Sequence, residues 1–383
     1  MSAFVSNEEL PNLAPDQAVA GPEAVLSGIL HIYVAFDWGE EVDLDRARRL
    51  VPAEVQALPR RRRTPSSFAY RPPPLRFTLA PVSLTLPEVG PVEAAAEATV
   101  FDFAAVSLGL EVPFHLPAAG LARLAGWLAT PGDLLSTARS ALEPLYQKLL
   151  PAIQAPQWPA ELSEEYFVYH LPPGDSWRAV GSLQEHAGWL AGLLRLEGGL
   201  LSADEIAEAL RLRLQYSPND LLITDWAAAV LIDRDCEETL QTIEFTNLQL
   251  LEFRHIDNRL DDSLKAAYGL IHRLTQSALP FWRTQARRMR AVGELKAEAN
   301  DLFERTGNVL KLVGDQYLAR VYRQLATRFH LAEWEQSIQR KLETIEGIYQ
   351  VLSDQAATYR AEILEVIIVI LILFEIVMAL WHR

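Results

Sequence analysis

The chain has 383 residues, half of them apolar, and a formal net charge of −15 from 35 basic and 50 acidic side chains. That is enough apolar material for a sizeable core, and so acidic a balance argues against generic coating of nucleic acid, which needs a basic surface. Its single cysteine, Cys236, excludes an intrachain disulfide and any cysteine-rich zinc site.

Residues 1–24, with Pro11, Pro15 and Pro22, read as a mobile arm without the charged start and apolar centre of a signal peptide. Gly28–Phe36 alternates like a strand, and LDRARRLVP reads as a short helix stopped at Pro52. Pro59–Phe77 holds five prolines, six arginines and no acid, which predicts an extended loop. TLAPVSLTL follows as a strand, and EATVFDFAAVSLGLEVPF as two strands joined near Phe103–Val106. PAAGLARLAGWLA and DLLSTARSALEPLYQKLLPAI read as helices, and Glu165–Leu171 as a strand. Residues 182–214 read as helical, broken at Gly198-Gly199 and restarted by a Ser202-x-x-Glu205 capping box. Asn219-Asp220 opens DLLITDWAAAVLID, a hairpin with its turn near Asp225–Ala227. Strands separated by unequal helices predict an α+β body over 25–235.

Strand signals stop at Cys236, and residues 236–362 read as long helices, near 236–276, 280–307, 309–327 and 329–362. The last carries an apolar stripe, Ile338, Leu342, Ile345, Tyr349, Leu352, Ala356, Tyr359 and Ile363, alternating by four and three. This predicts a coiled-coil-like helix that assembles copies of the chain, although a helix packed inside a bundle shows the same stripe. Residues 363–381 (ILEVIIVILILFEIVMALW) would make a helix of about 28 Å, close to a bilayer core. Glu365 and Glu375 oppose insertion by a few kcal/mol each, less than the apolar residues return. Glu375 falls opposite the stripe, so it is expected to make a second intersubunit contact. The expected fold is therefore an α+β N-terminal body, then a long-helix region whose coiled-coil-like helix runs into one C-terminal transmembrane helix. That topology implies a tail-anchored, single-pass membrane protein with its bulk in the cytoplasm.

GDQYLARVYRQLATRFHLAEWEQSIQRKLETIEGIYQVLSDQ, followed by RAEILEVIIVILILFEI, resembles the C-terminal signature of the "required for meiotic nuclear division" family. Arg360, Leu364-Glu365 and Glu375 occupy the places of that family's Arg, Leu-Glu pair and second Glu. EATVFDFAAVSL, NDLLITDWAAAVLID and TIEFTNLQLLEFRHID resemble the family's body. Tyr317-Leu318-Ala319-Arg320 departs from the Pro-Asp-aromatic-aromatic-Trp pattern of eukaryotic members, which points to a bacterial branch. The resemblance implies a membrane-anchored, self-associating protein without an established catalytic activity. Mitochondrial members are linked to translation at the inner membrane and fungal ones to nuclear division.

Arg60, Arg61, Arg62, Arg63, Arg71 and Arg76, interleaved with Phe68, Tyr70 and Phe77, could grip the phosphates of RNA or anionic lipid, or simply be a solvated loop. Glu252-x-x-His255 has the spacing of di-iron bundles but lacks a second copy, so a polar helix face is the expectation. Arg283, Arg287 and Arg290 complement Asp257, Asp261 and Asp262 as an antiparallel helix pair would. There is no phosphate loop, dinucleotide fingerprint, nucleophile elbow or zinc-protease motif, and no catalytic residue, cofactor or metal is expected. The leading functional expectation is a non-enzymatic membrane scaffold. It would self-associate through Ile338, Leu342, Ile345, Tyr349, Leu352, Tyr359 and Glu375 and present the α+β body to a cytosolic protein partner of unknown identity. The alternatives are a membrane tether for RNA or ribosomes through the arginine loop, and an uncharacterised membrane-proximal enzyme. A pocket with converging titratable groups would favour the enzyme.

Overall fold

Strand β1 (Val25–Asp37) sets the two-sidedness of the fold through its alternating side chains. The computed structural model describes residues 25–51, 55–56, 72–158, 162–174, 185–274, 297, 300 and 316–381. Eleven further strands follow: β2 (Glu41–Val42), β3 (Val55–Gln56), β4 (Leu75–Thr78), β5 (Val82–Leu86), β6 (Gly90–Val100), β7 (Ala105–Pro117), β8 (Ile153–Gln154), β9 (Ser163–Leu171), β10 (Arg213–Leu214), β11 (Leu221–Thr224) and β12 (Ala228–Ile232). Ten of the twelve form one sheet in the order β10-β11-β12-β9-β1-β7-β6-β4-β3, with β5 also on β6, while β2 pairs with β8. Among the described residues only the β9–β12 pair is parallel. The β6–β7 hairpin turns through residues 101–104, with Ala104 in the left-handed region at φ 63°. The β11–β12 hairpin turns at residues 225–227.

Register separates the faces. Ile32, Val34 and Phe36 of β1 stand opposite Leu110, Leu108 and Val106 of β7, all fully buried. Their face is covered by α1 (Leu44–Leu50), α2 (Ala118–Leu128), α3 (Leu134–Leu149) and α4 (Ala187–Arg195). Each such side chain contributes about 1.5–3 kcal/mol by leaving water. Trp189 Nε1 donates to Ala118 O at 2.9 Å, pinning α4 to α2. Between α4 and β10, α5 (Ala203–Ala209) is capped by Ser202, whose hydroxyl accepts from the Glu205 N–H at 3.2 Å.

The other face is only partly apolar. Ala35, Phe101, Phe103 and Ala105 pack with Phe245, Leu248 and Leu251 of α6 (Glu237–Leu274) and with Leu318 and Tyr322 of α7 (Gln316–Arg328). Past that patch the sheet turns polar, and the cleft described below begins there.

The chain divides into two compact units, Met1–Glu252 with Thr306–Ala332 and Phe253–Arg305 with Glu333–Arg383. In the second, Ile338, Leu342, Ile345 and Tyr349 of α8 (Leu331–Trp381) are buried by this chain alone. Lys341 Nζ lies 2.8 Å from Asp257 Oδ1 and 2.5 Å from Asp261 Oδ1. The described part of the stripe is thus used inside the chain, as in a bundle. It does not support the oligomeric, coiled-coil scaffold expected from the spacing. The side chains of Leu352, Tyr359 and Glu375 lie outside the described residues, as do Arg283, Arg287 and Arg290. Asp257 and Asp261 are paired with Lys341, and Asp262 with Lys265.

The expectation of a C-terminal transmembrane helix is corrected. Among the described residues no helix is long and apolar enough to cross a membrane, so the tail anchor and the single-pass membrane localisation are not supported. The apolar run is the distal part of a 51-residue helix rather than a span of its own. That helix enters it from a segment bearing Arg340, Lys341, Glu343 and Glu346, and Glu365 stands exposed within it.

Candidate functional site

On the polar side of the sheet, neighbouring strands bring chemically active side chains to one place. His31 of β1 stands opposite Glu111 of β7, and Tyr33 opposite Gly109. Gly109 also pairs with Glu97 of β6, and Thr99 of β6 with Arg76 of β4. Glu237, Leu240, Gln241 and Glu244, spaced three and four apart on one face of α6, close the site from above. Together these residues line a cleft of ≈ 270 Å³ within the first unit. A Cβ at Gly109 would meet the Tyr33 ring at 3.4 Å, the near edge of ordinary contact.

Among the described residues Arg76 is the only guanidinium in the cleft, and its side chain is 11% exposed. It donates to Glu237 Oε1 at 3.0 Å, and Glu97 and Glu244 each approach to 3.6 Å. Burial alone would weaken its charge, but Glu244, Glu237 and Glu97 together hold it above the usual arginine value. Glu244 is buried, and burial raises its pKa; Arg76 and the hydroxyls of Ser107 and Thr99 pull the other way. Burial also raises Glu111, assisted by the like charges of Glu97 and Glu237.

His31 is 5% exposed. Burial, then the proximity of His170, lowers its pKa to about 4 against a smaller opposing effect of Glu237, so the ring is neutral at pH 7. Its Nδ1 lies 3.6 Å from Glu111 Oε1, beyond hydrogen-bond reach, and its Nε2 is buried without a hydrogen-bond partner among the described residues. A neutral imidazole with an unused nitrogen therefore borders a cleft where, among the described residues, four carboxylates face one guanidinium.

A second polar cluster in the same unit is built differently. Asp225, fully buried at the β11–β12 turn, lies 2.7 Å from Arg328 Nε and 3.0 Å from Arg195 Nε. These contacts are close ion pairs bent away from hydrogen-bond geometry. Arg328 also donates to Glu208 Oε1 and O, at 2.9 and 3.0 Å; Arg195 pairs with Glu205, and Arg211 with Glu208. Three carboxylates thus meet three guanidiniums. Burial raises the pKa of Asp225 while Arg328 opposes the rise. The cluster joins α4, α5 and α7 to the hairpin, and Gln324 adds hydrogen bonds to Leu212 O and Thr224 Oγ1, both at 2.9 Å.

Of the arginines expected to grip phosphate, Arg76 belongs to the cleft and is already engaged by carboxylates; Arg60, Arg61, Arg62, Arg63 and Arg71 lie outside the described residues. Among the described residues no group of three or more His, Cys, Asp or Glu could hold a metal ion, Glu252 and His255 included. Cys236 lies 3.5 Å from His170 Nε2, but that nitrogen donates to Asp233 O at 2.9 Å. Burial, with Asp233 and Glu237, pushes the thiol up to about 12, so it is an unreactive thiol at pH 7. The cleft itself was missed in the sequence. Its one local trace is the alternation of Glu93, Glu97 and Thr99 with alanines along β6.

Residues 27–238 match the family model described as "Uncharacterized protein MJ0711, N-terminal domain". That is more than half of the chain, and the chain belongs to this family. The uncharacterized protein MJ0711 of Methanocaldococcus jannaschii is 29% identical over 210 residues, covering 52% of this chain and 61% of the relative. The match thus spans less than two thirds of the relative's length. No solved structure matches. These findings overturn the resemblance to the meiotic nuclear division family, and with it the roles implied by that family. Of the residues that carried it, Arg360, Leu364-Glu365 and Glu375 lie beyond the matched segment, while EATVFDFAAVSL and NDLLITDWAAAVLID lie inside it and belong to the matched family. The match takes in every strand residue of the cleft and Glu237, whereas Leu240, Gln241 and Glu244 lie past its end.

Proposed function

We propose that the first unit is a small-molecule-binding module whose site is the cleft on the polar face of its sheet. The observation that carries this reading is the cleft itself, an opening of ≈ 270 Å³ lined by His31, Arg76 and four glutamates, in which His31 and Arg76 each keep a buried nitrogen without a hydrogen-bond partner among the described residues. A buried polar atom without a partner costs about 1–3 kcal/mol, and the opposite face of the same strands is filled with valine, leucine and isoleucine. A further reading, that the cleft also turns its ligand over, is favoured by His31 and Glu111, two titratable side chains 3.6 Å apart in one cleft.

Thermal unfolding of the full chain with 1,4-diaminobutane, citrate, inorganic phosphate, adenosine or glucose tests the binding reading. At least one of these is expected to raise the midpoint of the wild type and to leave His31→Phe and Glu237→Gln unmoved. Midpoints that no compound raises, or raises equally in both variants, would refute it.

A further inference from the structure

Resting on the reading of the cleft as a binding site, we infer that its ligand is a small aliphatic diamine or polyamine, held by its ammonium groups. Charge points first. Among the described residues Glu97, Glu111, Glu237 and Glu244 line the cleft against Arg76 alone, and Arg76 is already within 3.6 Å of three of them. An anion entering here would have to displace those carboxylates and then sit among them. A cation gains from each of them that is ionised.

Hydrogen-bonding capacity points the same way. Ionised carboxylates only accept. Arg76 donates to Glu237, and its Nε is buried without a hydrogen-bond partner among the described residues. Four carboxylates outnumber that one guanidinium among the described lining residues, so the occupant that suits them brings donors, and an ammonium brings three.

Spacing separates an amine from a metal ion. The carboxylates come from β6, β7 and two turns of α6, and among the described residues no three of these groups are arranged to share one ion. A flexible molecule with two charged ends can reach carboxylates on the sheet and on the helix at once. Leu240 and the ring of Tyr33 supply apolar wall for the methylenes between them. At ≈ 270 Å³ the cleft is at the small end for ligand sites, which suits a linear molecule of few atoms.

Isothermal titration calorimetry of the full chain at pH 7 decides the matter, with 1,4-diaminobutane, 1-aminobutane, magnesium chloride, inorganic phosphate and glucose as probes. The diamine is expected to bind at least tenfold more tightly than 1-aminobutane and to weaken as salt rises. Glu97→Gln and Glu237→Gln, at side chains 38% and 47% exposed, should each weaken it at least tenfold while keeping the wild-type unfolding midpoint. Binding of magnesium, phosphate or glucose in place of the diamine would overturn the ligand class and leave the cleft a binding site. Diamine binding unchanged in both variants would overturn the assignment to this cleft. If no probe binds, both readings fall.

Discussion

The Asp225 cluster and the Arg76 cleft are made from the same parts, yet they differ in balance. Around Asp225 three carboxylates meet three guanidiniums, the ion pairs join separate elements, and the central carboxylate is fully buried. Around Arg76, among the described residues, four carboxylates meet one guanidinium, a neutral histidine and that guanidinium each keep a nitrogen unused, and the space between the side chains is open. Equal charge closes a polar cluster into a fastening. Surplus charge of one sign leaves a demand that a ligand can fill.

Breaking the closed cluster should cost most. Arg328→Ala strips Asp225 of its nearer partner, and a loss of about 3–5 kcal/mol is expected in equilibrium urea unfolding. Acid should then separate the two clusters. His31 titrates near 4 when folded and near 6.5 when unfolded, so the unfolded chain binds the extra proton between those values. Stability from this group is complete above pH 6.5 and is lost as pH falls toward 4, by up to roughly 3 kcal/mol. His31→Phe should remove that loss, seen as a flatter pH dependence of the urea midpoint. Glu111, Glu244 and Asp225 act with the opposite sign: their folded pKa values are raised, so their contribution declines as pH rises through the raised values. Glu244→Gln should remove one such decline.

A smaller effect is expected at Ser202, whose hydroxyl caps the helix that carries Glu205 and Glu208 to Asp225. Ser202→Ala should cost about 1 kcal/mol in the same assay. Smallest of all, Glu237→Gln in the open cleft should stay within about 0.5 kcal/mol of the wild type. That variant would lose ligand and keep its fold, the reverse of Arg328→Ala.

What could be read from the chain was local. The Ser202-x-x-Glu205 box, the hairpin turn at Asp225–Ala227 and the β6–β7 junction all carry their signals within a few residues, and the structure has each of them. The cleft is non-local: Arg76 and Glu237 lie 161 residues apart and meet only when sheet register and the first turns of α6 are set. Six arginines among prolines spoke of charge but not of its partner, so Arg76 looked like a phosphate contact when its neighbours are carboxylates. The apolar stripe from Ile338 to Tyr349 was ambiguous for the same reason, because a seam between chains and a face buried within one share a spacing. Length and hydropathy likewise made a membrane span of Ile363–Trp381, which belongs to a longer helix with a charged first half.

The most direct test of an open cleft is the side-chain nitrogen spectrum of His31, recorded on ¹⁵N-histidine-labelled full chain at pH 7 and assigned with His31→Phe. Adding 1,4-diaminobutane should move the Nε2 resonance saturably while the imidazole stays neutral. An Nε2 resonance that stays in place through millimolar diamine would contradict the account.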